Sequence, residues 1–271
     1  MTDPDVSTAA GLRLGNILYS NCFPVHARLI DRPEAGDPAL VDGIPSALNA
    51  KLASGEIDVS PSSSIEYARH ADRYGIISGV VIGSRGPVRS ILLVSDVDPT
   101  DLGGKVVALP TASATSVVLL KILLRIRWEV DPIFVWFDQA RDDPFADGAA
   151  AALFIGDVAL RPDLYSEKRV RLDLGAEWWD ETGLPFAFAV WQSASGTDAQ
   201  LSDLHDRLVS SLAYFNDNRS DLATRYAAHF GLPARLLEEY WRGLSYDLDE
   251  PMLEGLGAFF RMAADIGEVT G

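Results

Sequence analysis

Short apolar runs alternate with helix-like stretches along most of this chain, and that alternation limits the possible folds more than any other feature. Leu12 to Leu18 is a predicted strand that leads into a predicted helix through His26 to Leu29. Lys105 to Leu109 is a second short strand, followed by a strongly helical stretch from Ser113. Strands that alternate with helices favour a mixed or parallel sheet over a β-sandwich. We therefore expect an α/β fold with mixed sheets flanked by helices.

Further elements continue the same pattern. Additional helices are predicted at Pro45 to Ala53 and Ser62 to Arg69. Additional strands are predicted at Ile57 to Ser60, Gly75 to Gly83, Val88 to Ser95, Pro132 to Phe137, Ala150 to Ile155, Val170 to Leu174 and Pro185 to Trp191. From about Thr197 the pattern predicts four helices, separated at Asn216 to Asn218, Gly231 to Pro233 and Tyr246 to Asp249.

The charge balance excludes some classes of partner. The formal net charge is −16 and the pI is about 4.5, so nucleic acid and anionic membrane surfaces are disfavoured. An anionic ligand would need a local exception, built from backbone amides, helix N-termini and a few arginines. The partner that we expect is therefore a small molecule.

The single cysteine and the N-terminal sequence favour a location in the cytoplasm. Cys22 is the single cysteine, which rules out an intrachain disulfide and is typical of a reducing environment. The first residues lack the basic and apolar regions of a secretory signal, and no apolar run reaches about 18 residues. We expect a cytoplasmic protein with no membrane association.

Known catalytic and cofactor motifs are missing from the sequence. The histidines are isolated, and neither HExxH, CxxC, GxGxxG, a P-loop nor GxSxG occurs, so we expect no metal and no cofactor. Cys22 and His26 are predicted to be a buried small side chain and a surface imidazole rather than a catalytic pair.

Hydroxyl and amide groups are concentrated where strands lead into helices. These segments are Ser20-Asn21, Ser62 to Ser64, Ser84 to Gly86, Thr111 to Ser116 and Gly156-Asp157. Such residues are also ordinary helix N-caps, a role that fits Asp157 equally well, and Arg85 is equally consistent with a solvated loop charge. The aromatic residues near Gly183 are predicted to be core, with one of them as a possible pocket wall: Trp178, Trp179, Phe186, Phe188 and Trp191.

Taken in order, several of these motifs resemble a known family. They are Tyr19-Ser20-Asn21, Gly83 to Ser90, Thr111 to Ser116, Ile155-Gly156-Asp157 and Thr182 to Phe186. The set resembles the menaquinone biosynthesis enzymes of the futalosine pathway, and it is most similar to their chorismate dehydratase branch. The chain departs from the commoner pattern at Ser20, Cys22 and Phe23, and in having Arg85 inside its loop.

The resemblance implies a fold and a reaction. The fold is that of type II periplasmic binding proteins, with residues 1–90 and 186–271 in one lobe and residues 91–185 in the other. The reaction is dehydration of chorismate to 3-[(1-carboxyvinyl)oxy]benzoate, a lyase activity without a cofactor. A sister activity of the pathway relies on a histidine in the second lobe, and none occurs between His70 and His205. The oligomeric state is open, a homodimer being one alternative.

The resemblance also implies site residues. Asn21 and Ser84 would be the catalytic polar groups at the reacting face, and the substrate's own enolpyruvyl carboxylate would be the base. Ser113, Thr115 and Ser116, with the helix amides, would hold one carboxylate, and Arg85 would pair with the other. Further substrate contacts are predicted at Ser20, Gly86, Thr111 and Asp157. The rival hypotheses are a non-catalytic protein that binds a small anionic solute and a cytosolic ligand-sensing domain.

Overall fold

The computed structural model describes residues 11–161 and 169–269, which form two five-stranded mixed sheets and the helices around them. The strands are β1 (Arg13–Ile17), β2 (Ala39–Gly43), β3 (Val59–Ser63), β4 (Gly75–Ser84), β5 (Ile91–Ser95), β6 (Val106–Pro110), β7 (Ile133–Phe137), β8 (Ala151–Ile155), β9 (Val170–Asp173) and β10 (Phe186–Ser193). The helices are α1 (Phe23–Asp31), α2 (Pro45–Ser54), α3 (Ser64–Arg69), α4 (Ala114–Ile126), α5 (Leu174–Thr182), α6 (Asp198–Phe230), α7 (Ala234–Gly243) and α8 (Glu250–Asp265). The predicted α/β class is confirmed.

Each sheet combines parallel and antiparallel pairs in the same way. The first has the order β2-β1-β3-β10-β4, with β1 parallel to β2 and β3, and β10 antiparallel to β3 and β4. The second has the order β7-β6-β8-β5-β9, with β6 parallel to β7 and β8, and β5 antiparallel to β8 and β9. We call the part built on the first sheet lobe 1 and the part built on the second lobe 2.

The chain passes between the sheets twice, and Asp173 ties the two passages together. Its carboxylate accepts hydrogen bonds from the N–H groups of Val88 and Arg89 in the first passage, and from those of Gly175 and Ala176 in the second. The predicted lobe boundaries at residues 90 and 185 remain a proposal, which is supported because β5 to β9 all fall between them.

The C-terminal part contains one of the predicted helix interruptions in helical form. The segment Asn216 to Asn218 lies inside α6, which runs unbroken for 33 residues. Helix propensity is a weak prior, and here the packing of the buried side chains of Phe215 and Leu222 on either side of the segment overrides it. Asn218 Nδ2 also donates to the carbonyl of Tyr214, so its amide is satisfied within the helix.

Across the described ranges, no helix combines the length and apolar character needed to cross a bilayer.

Candidate functional site

A narrow cavity lies between the two lobes. Its volume is about 50 Å³, well below the roughly 300–1,000 Å³ of typical ligand pockets, so the lobes must separate before a ligand of that class can enter. We call this space the cleft cavity. Its described lining consists of Ile17, Tyr19, Asn21, Pro45, Ser63, Ile82, Ile91, Ser113, Ser116, Ile155, Gly156, Phe188 and Ala189.

The lining contributes polar groups but no formal charge. Among the described residues that line the cleft cavity there is no Asp, Glu, Lys, Arg or His side chain. The polar groups are instead hydroxyls and one amide, which are hydrogen-bonding groups rather than general bases near neutral pH. Across the part of the chain that the structure describes, no group of three or more His, Cys, Asp or Glu residues could hold a metal ion.

The N-terminus of α4 forms the lobe 2 wall of the cavity. The side chain of Ser113 is the N-cap and accepts a hydrogen bond from the N–H of Ser116 at 3.3 Å, while the two hydroxyl oxygens lie 2.9 Å apart. A helix N-terminus presents free N–H groups and a partial positive charge, which favour a bound anion. This wall can therefore bind a carboxylate without a cationic side chain.

Asn21 is the amide of the lining, and one of its polar atoms is unsatisfied. It lies in the short segment between β1 and α1, and its Oδ1 atom is buried without a hydrogen-bond partner among the described residues. Buried polar atoms are almost always paired, so an exception in a cavity points to a ligand donor. The O–H of a bound ligand would supply the missing bond.

Ser20 and Asp157 join the lobes beside the cavity. The Ser20 N–H lies 3.1 Å from Asp157 Oδ2, and the Ser20 hydroxyl donates to Oδ1. Burial raises the pKa of Asp157, and the hydrogen bonds from Ser20 oppose that shift. The carbonyl of Ser20 accepts from the Trp241 indole at 2.7 Å, so the segment next to Asn21 is held from both sides.

Asp157 is therefore not the helix cap that the sequence suggested. It lies inside a short 3₁₀ turn, Gly156–Val158, and its carboxylate accepts hydrogen bonds from Ser20 rather than capping the turn. The ring of Tyr19 packs over Gly156, where a β-carbon would lie 3.2 Å from the ring. A glycine with φ of +65° suits this close contact.

Several predicted site residues lie outside the cleft cavity. The Ser84 hydroxyl donates to the carbonyl of Gly86 at 2.8 Å, in the first passage between the lobes. Arg85 is exposed and pairs with Asp249. Their roles, and that of Gly86 as a substrate contact, stay predictions that this geometry does not support.

Thr111 and Thr115 are likewise not brought to the cleft cavity. Thr111 is exposed just after β6. Thr115 is buried, and its hydroxyl oxygen accepts from the N–H of Ile65 at 3.2 Å and lies 3.3 Å from the Ser64 hydroxyl. Thr115 thus connects α4 to α3 across the lobes, and its predicted contact with substrate stays a prediction.

Sequence reasoning did not assign a role to two polar residues that line the cavity. Tyr19 belongs to a motif that carries the family resemblance but was given no role, and Ser63 was predicted only as part of a run of serines. Of the aromatic residues near Gly183, Phe188 is the one in the lining.

The prediction that His26 is a surface residue was wrong. Its side chain is fully buried, with Nε2 accepting from the Trp191 indole at 3.0 Å and Nδ1 lying 2.9 Å from Asn16 Oδ1. Burial lowers the pKa of His26 to about 3 and raises that of the neighbouring Cys22 to about 12. Both groups are therefore neutral at pH 7 and are structural parts of lobe 1.

Sequence comparison connects most of the chain to known proteins. A family model described as menaquinone biosynthesis matches residues 12–265. The chorismate dehydratase of Thermus thermophilus is 30% identical over 265 residues, which cover 91% of this chain and 93% of the relative.

Solved structures extend the likeness to the fold. The crystal structure of a protein from Archaeoglobus fulgidus matches with a TM-score of 0.79 at 19% identity, covering 95% of this chain and 98% of that one. The periplasmic aliphatic sulphonate-binding protein of Escherichia coli matches with a TM-score of 0.66 at 16% identity, covering 95% of this chain and 88% of that one. At these identities the likeness shows the fold alone, and the predicted periplasmic-binding-protein-like fold is confirmed.

Proposed function

The chain belongs to the menaquinone biosynthesis family, and on that premise we propose that it is a chorismate dehydratase, a lyase of the futalosine pathway. The observation that carries the proposal is the uncharged cleft cavity, lined by hydroxyls, an amide and the N-terminus of α4. That lining suits a small dianion whose own groups take part in the chemistry. The chorismate dehydratase of Thermus thermophilus supports the same assignment.

The reaction needs little acid–base equipment from the protein. Chorismate loses the proton on C3 and the hydroxyl on C4 as one water molecule, and its ring becomes the benzene ring of 3-[(1-carboxyvinyl)oxy]benzoate. Aromatisation makes the overall step strongly downhill, so the barrier is the removal of the first proton. The electron pair left at C3 delocalises through the C1–C2 double bond into the ring carboxylate, and hydrogen-bond donors stabilise that charge.

The lobe 2 wall fits the carboxylate that receives this charge. We assign the ring carboxylate to the hydroxyls of Ser113 and Ser116 and to the free N–H groups at the start of α4. These donors lie in the first turn of a 13-residue helix or, for Ser113, at its N-cap, so they are oriented before the substrate arrives. The stabilisation then grows as negative charge develops on the carboxylate, which is what accelerates a reaction.

Asn21 is placed to contact the leaving group, the hydroxyl on C4. Its unpartnered Oδ1 would accept the hydrogen bond of the C4 hydroxyl and fix the orientation of the leaving group. Phe188, which also lines the cleft cavity, offers an apolar face for the ring. The two residues together define one orientation of the cyclohexadiene.

The proposed base is the substrate's enolpyruvyl carboxylate, attached through oxygen to C3 itself. This assignment is supported by the lining, since no described residue of the cleft cavity supplies a carboxylate or an imidazole. Closure around the substrate would hold this carboxylate close to the C3 proton and exclude water. The proton then leaves with the C4 hydroxyl as water, so that atoms and charge balance.

A second candidate is a protein that binds a small anionic solute without turnover. The same helix N-terminus and hydroxyls suit a sulphonate or carboxylate, and the Escherichia coli structure with this fold is named for binding an aliphatic sulphonate. The two candidates differ in one measurable way, because only the dehydratase consumes its ligand.

The deciding experiment is incubation of the purified protein with chorismate in buffer without added metal or cofactor, followed by chromatography and mass spectrometry. Formation of the enolpyruvyl benzoate, and its loss in Asn21→Ala, supports the dehydratase. Asn218→Ala is the matched control, since that amide donates within α6. Saturable binding of chorismate without any product would favour the solute-binding alternative.

The identity of the base is tested with the substrate rather than with the protein. Chorismate deuterated at C3 should react more slowly, with a primary isotope effect on kcat. An analogue whose enolpyruvyl carboxylate is converted to the amide should bind and fail to react. Turnover of that amide at the normal rate would show that the base lies elsewhere.

A further inference from the structure

A second small cavity lies in lobe 1 and shares no lining residue with the cleft cavity. It lies among α2, α3 and the paired strands β3 and β10, and its volume is about 50 Å³. That volume is enough for one water molecule or one ion. The lining consists of Asn49, Leu52, Ala53, Ser62, Glu66, His70, Tyr74 and Gln192. We call it the α2–α3 cavity.

Three oxygen atoms of this lining are buried and unpaired. They are Asn49 Oδ1, Ser62 Oγ and Gln192 Oε1, and none has a hydrogen-bond partner within residues 11–161 and 169–269. Ser62 and Gln192 are 1% and 0% exposed, so bulk water does not reach them. Unpaired buried polar atoms are rare, and three around one small space indicate a common ligand.

The orientation of the Gln192 amide is determined by its other end. Gln192 Nε2 donates to the carbonyl of Ser63 at 3.0 Å, which leaves Oε1 as the group available to the cavity. Both amide oxygens are pure acceptors, and only the Ser62 hydroxyl can also donate. The three unpaired atoms therefore offer oxygen lone pairs and call for a positive ligand or a hydrogen-bond donor.

The charge around the cavity sets the class of ligand. Glu66 is the one carboxylate of the described lining, and its Oε1 already accepts from Arg69 at 3.0 Å. Oxygen donors suit hard cations rather than zinc or copper, and a single half-neutralised carboxylate provides too little charge for a divalent ion. We propose that the α2–α3 cavity binds a monovalent alkali cation through Asn49, Ser62 and Gln192.

The bound cation would stiffen one wall of the cleft cavity. Ser62 immediately precedes Ser63, which lines the cleft, and the Gln192 amide contacts both the cation and the Ser63 carbonyl. Occupancy of the α2–α3 cavity thereby holds the end of β3 in one position. The inference concerns binding of the cation and stands or falls independently of the reaction proposed for the cleft.

The test begins with thermal unfolding of the full-length protein dialysed into choline chloride. NaCl and KCl are then titrated in separate arms, with choline chloride keeping the ionic strength constant. A bound ion should leave Tm almost unchanged below the Kd and raise it by about 2–4 °C for each tenfold rise in concentration above the Kd. Crystals soaked in rubidium or thallium salts should show an anomalous peak within contact of the three oxygens.

Ser62→Ala separates a cation site from a polar cavity that holds water. In choline chloride the variant should be at least as stable as the wild type, because a buried unpaired hydroxyl has been removed. Its Tm should lose the alkali-ion response, and Asn49→Ala serves as a second variant if Ser62→Ala does not fold. Ser54→Ala, an exposed serine at the end of α2, is the matched control that keeps the response. Equal Tm values in sodium, potassium and choline salts, with no anomalous peak, would mean an ordered water only and would overturn the proposal.

Discussion

The carboxylate of Asp157, in lobe 2, accepts hydrogen bonds from both the backbone N–H and the hydroxyl of Ser20, in lobe 1. Ser20 precedes Asn21, whose unpartnered Oδ1 lies at the cleft cavity. Closing the lobes and positioning Asn21 are therefore one structural event. Sequence alone pointed to both segments, but it did not place the two residues against each other.

Removing this contact should leave each lobe folded and weaken their closure. Hydrogen bonds to a charged group contribute about 1.5–3 kcal/mol each, so Asp157→Ala should raise the KM for chorismate by about tenfold or more and lower kcat as well. Small-angle scattering with a saturating product analogue should give a larger radius of gyration than the wild type. Ser95→Ala, a buried serine of β5 that bonds within lobe 2, is the control. Unchanged kinetics in Asp157→Ala would remove the role in closure.

Asn21 should affect activity much more than stability. Because its Oδ1 accepts no hydrogen bond in the described structure, Asn21→Leu should change the free energy of unfolding by less than about 1 kcal/mol. The loss of a group that orients the reacting bond should lower kcat/KM by about 100-fold or more. Urea unfolding and chorismate turnover, measured on the same preparation, test whether the substitution affects activity much more than stability. A large loss of stability would instead make Asn21 a structural residue.

The extent to which sequence predicted this fold depended on how local each signal was. The run from Ser113 carries its own cap and apolar spacing, so the start of α4 was predicted within one residue of its observed position at Ala114. The break expected at Asn216 to Asn218 failed because the buried neighbours Phe215 and Leu222 keep α6 continuous, which is a tertiary effect. Local sequence patterns predict individual helices and strands, whereas tertiary packing decides whether two predicted helices form one continuous helix.

The candidate site shows the same limit. Asn21, Ser113 and Ser116 were predicted and do line the cleft cavity, because each lies where a strand leads into a helix. Ser84 and Arg85 carry the same residue types at a similar junction, yet their side chains bond to Gly86 and Asp249 outside it. Nothing in a single sequence distinguishes a polar turn that faces a cavity from one that builds a passage between lobes.

The second passage between the lobes depends on a glycine. A β-carbon at position 175 would lie 2.6 Å from the carbonyl oxygen of Gly86 and 2.8 Å from Ser84 Oγ. Gly175→Ala should therefore force the two passages apart and destabilise the protein by about 1–3 kcal/mol or more, which urea unfolding measures. Gly103→Ala, where no heavy atom lies within 4 Å, should shift stability by less than about 0.5 kcal/mol. Equal effects of the two substitutions would contradict the close crossing.

His26 should make lobe 1 sensitive to acid. Its folded pKa of about 3 lies below the ordinary value of 6.5, so between these values the unfolded chain binds a proton that the folded chain does not. The stabilisation is complete above pH 6.5 and decreases as the pH falls towards 3, by about 1 kcal/mol between pH 6 and pH 5.

The test compares the wild type with His26→Gln, which keeps one donor for Asn16 and one acceptor for the Trp191 indole. Carboxylates contribute to the acid dependence of both proteins, so the informative quantity is the difference between their unfolding free energies at pH 7, 6 and 5. We expect the unfolding free energy of the wild type to fall relative to that of His26→Gln as the pH decreases over that range. The ring resonances of His26 should show no titration in the folded state. Parallel pH profiles would mean that His26 takes up its proton without unfolding, which its complete burial and its hydrogen bond from Trp191 argue against.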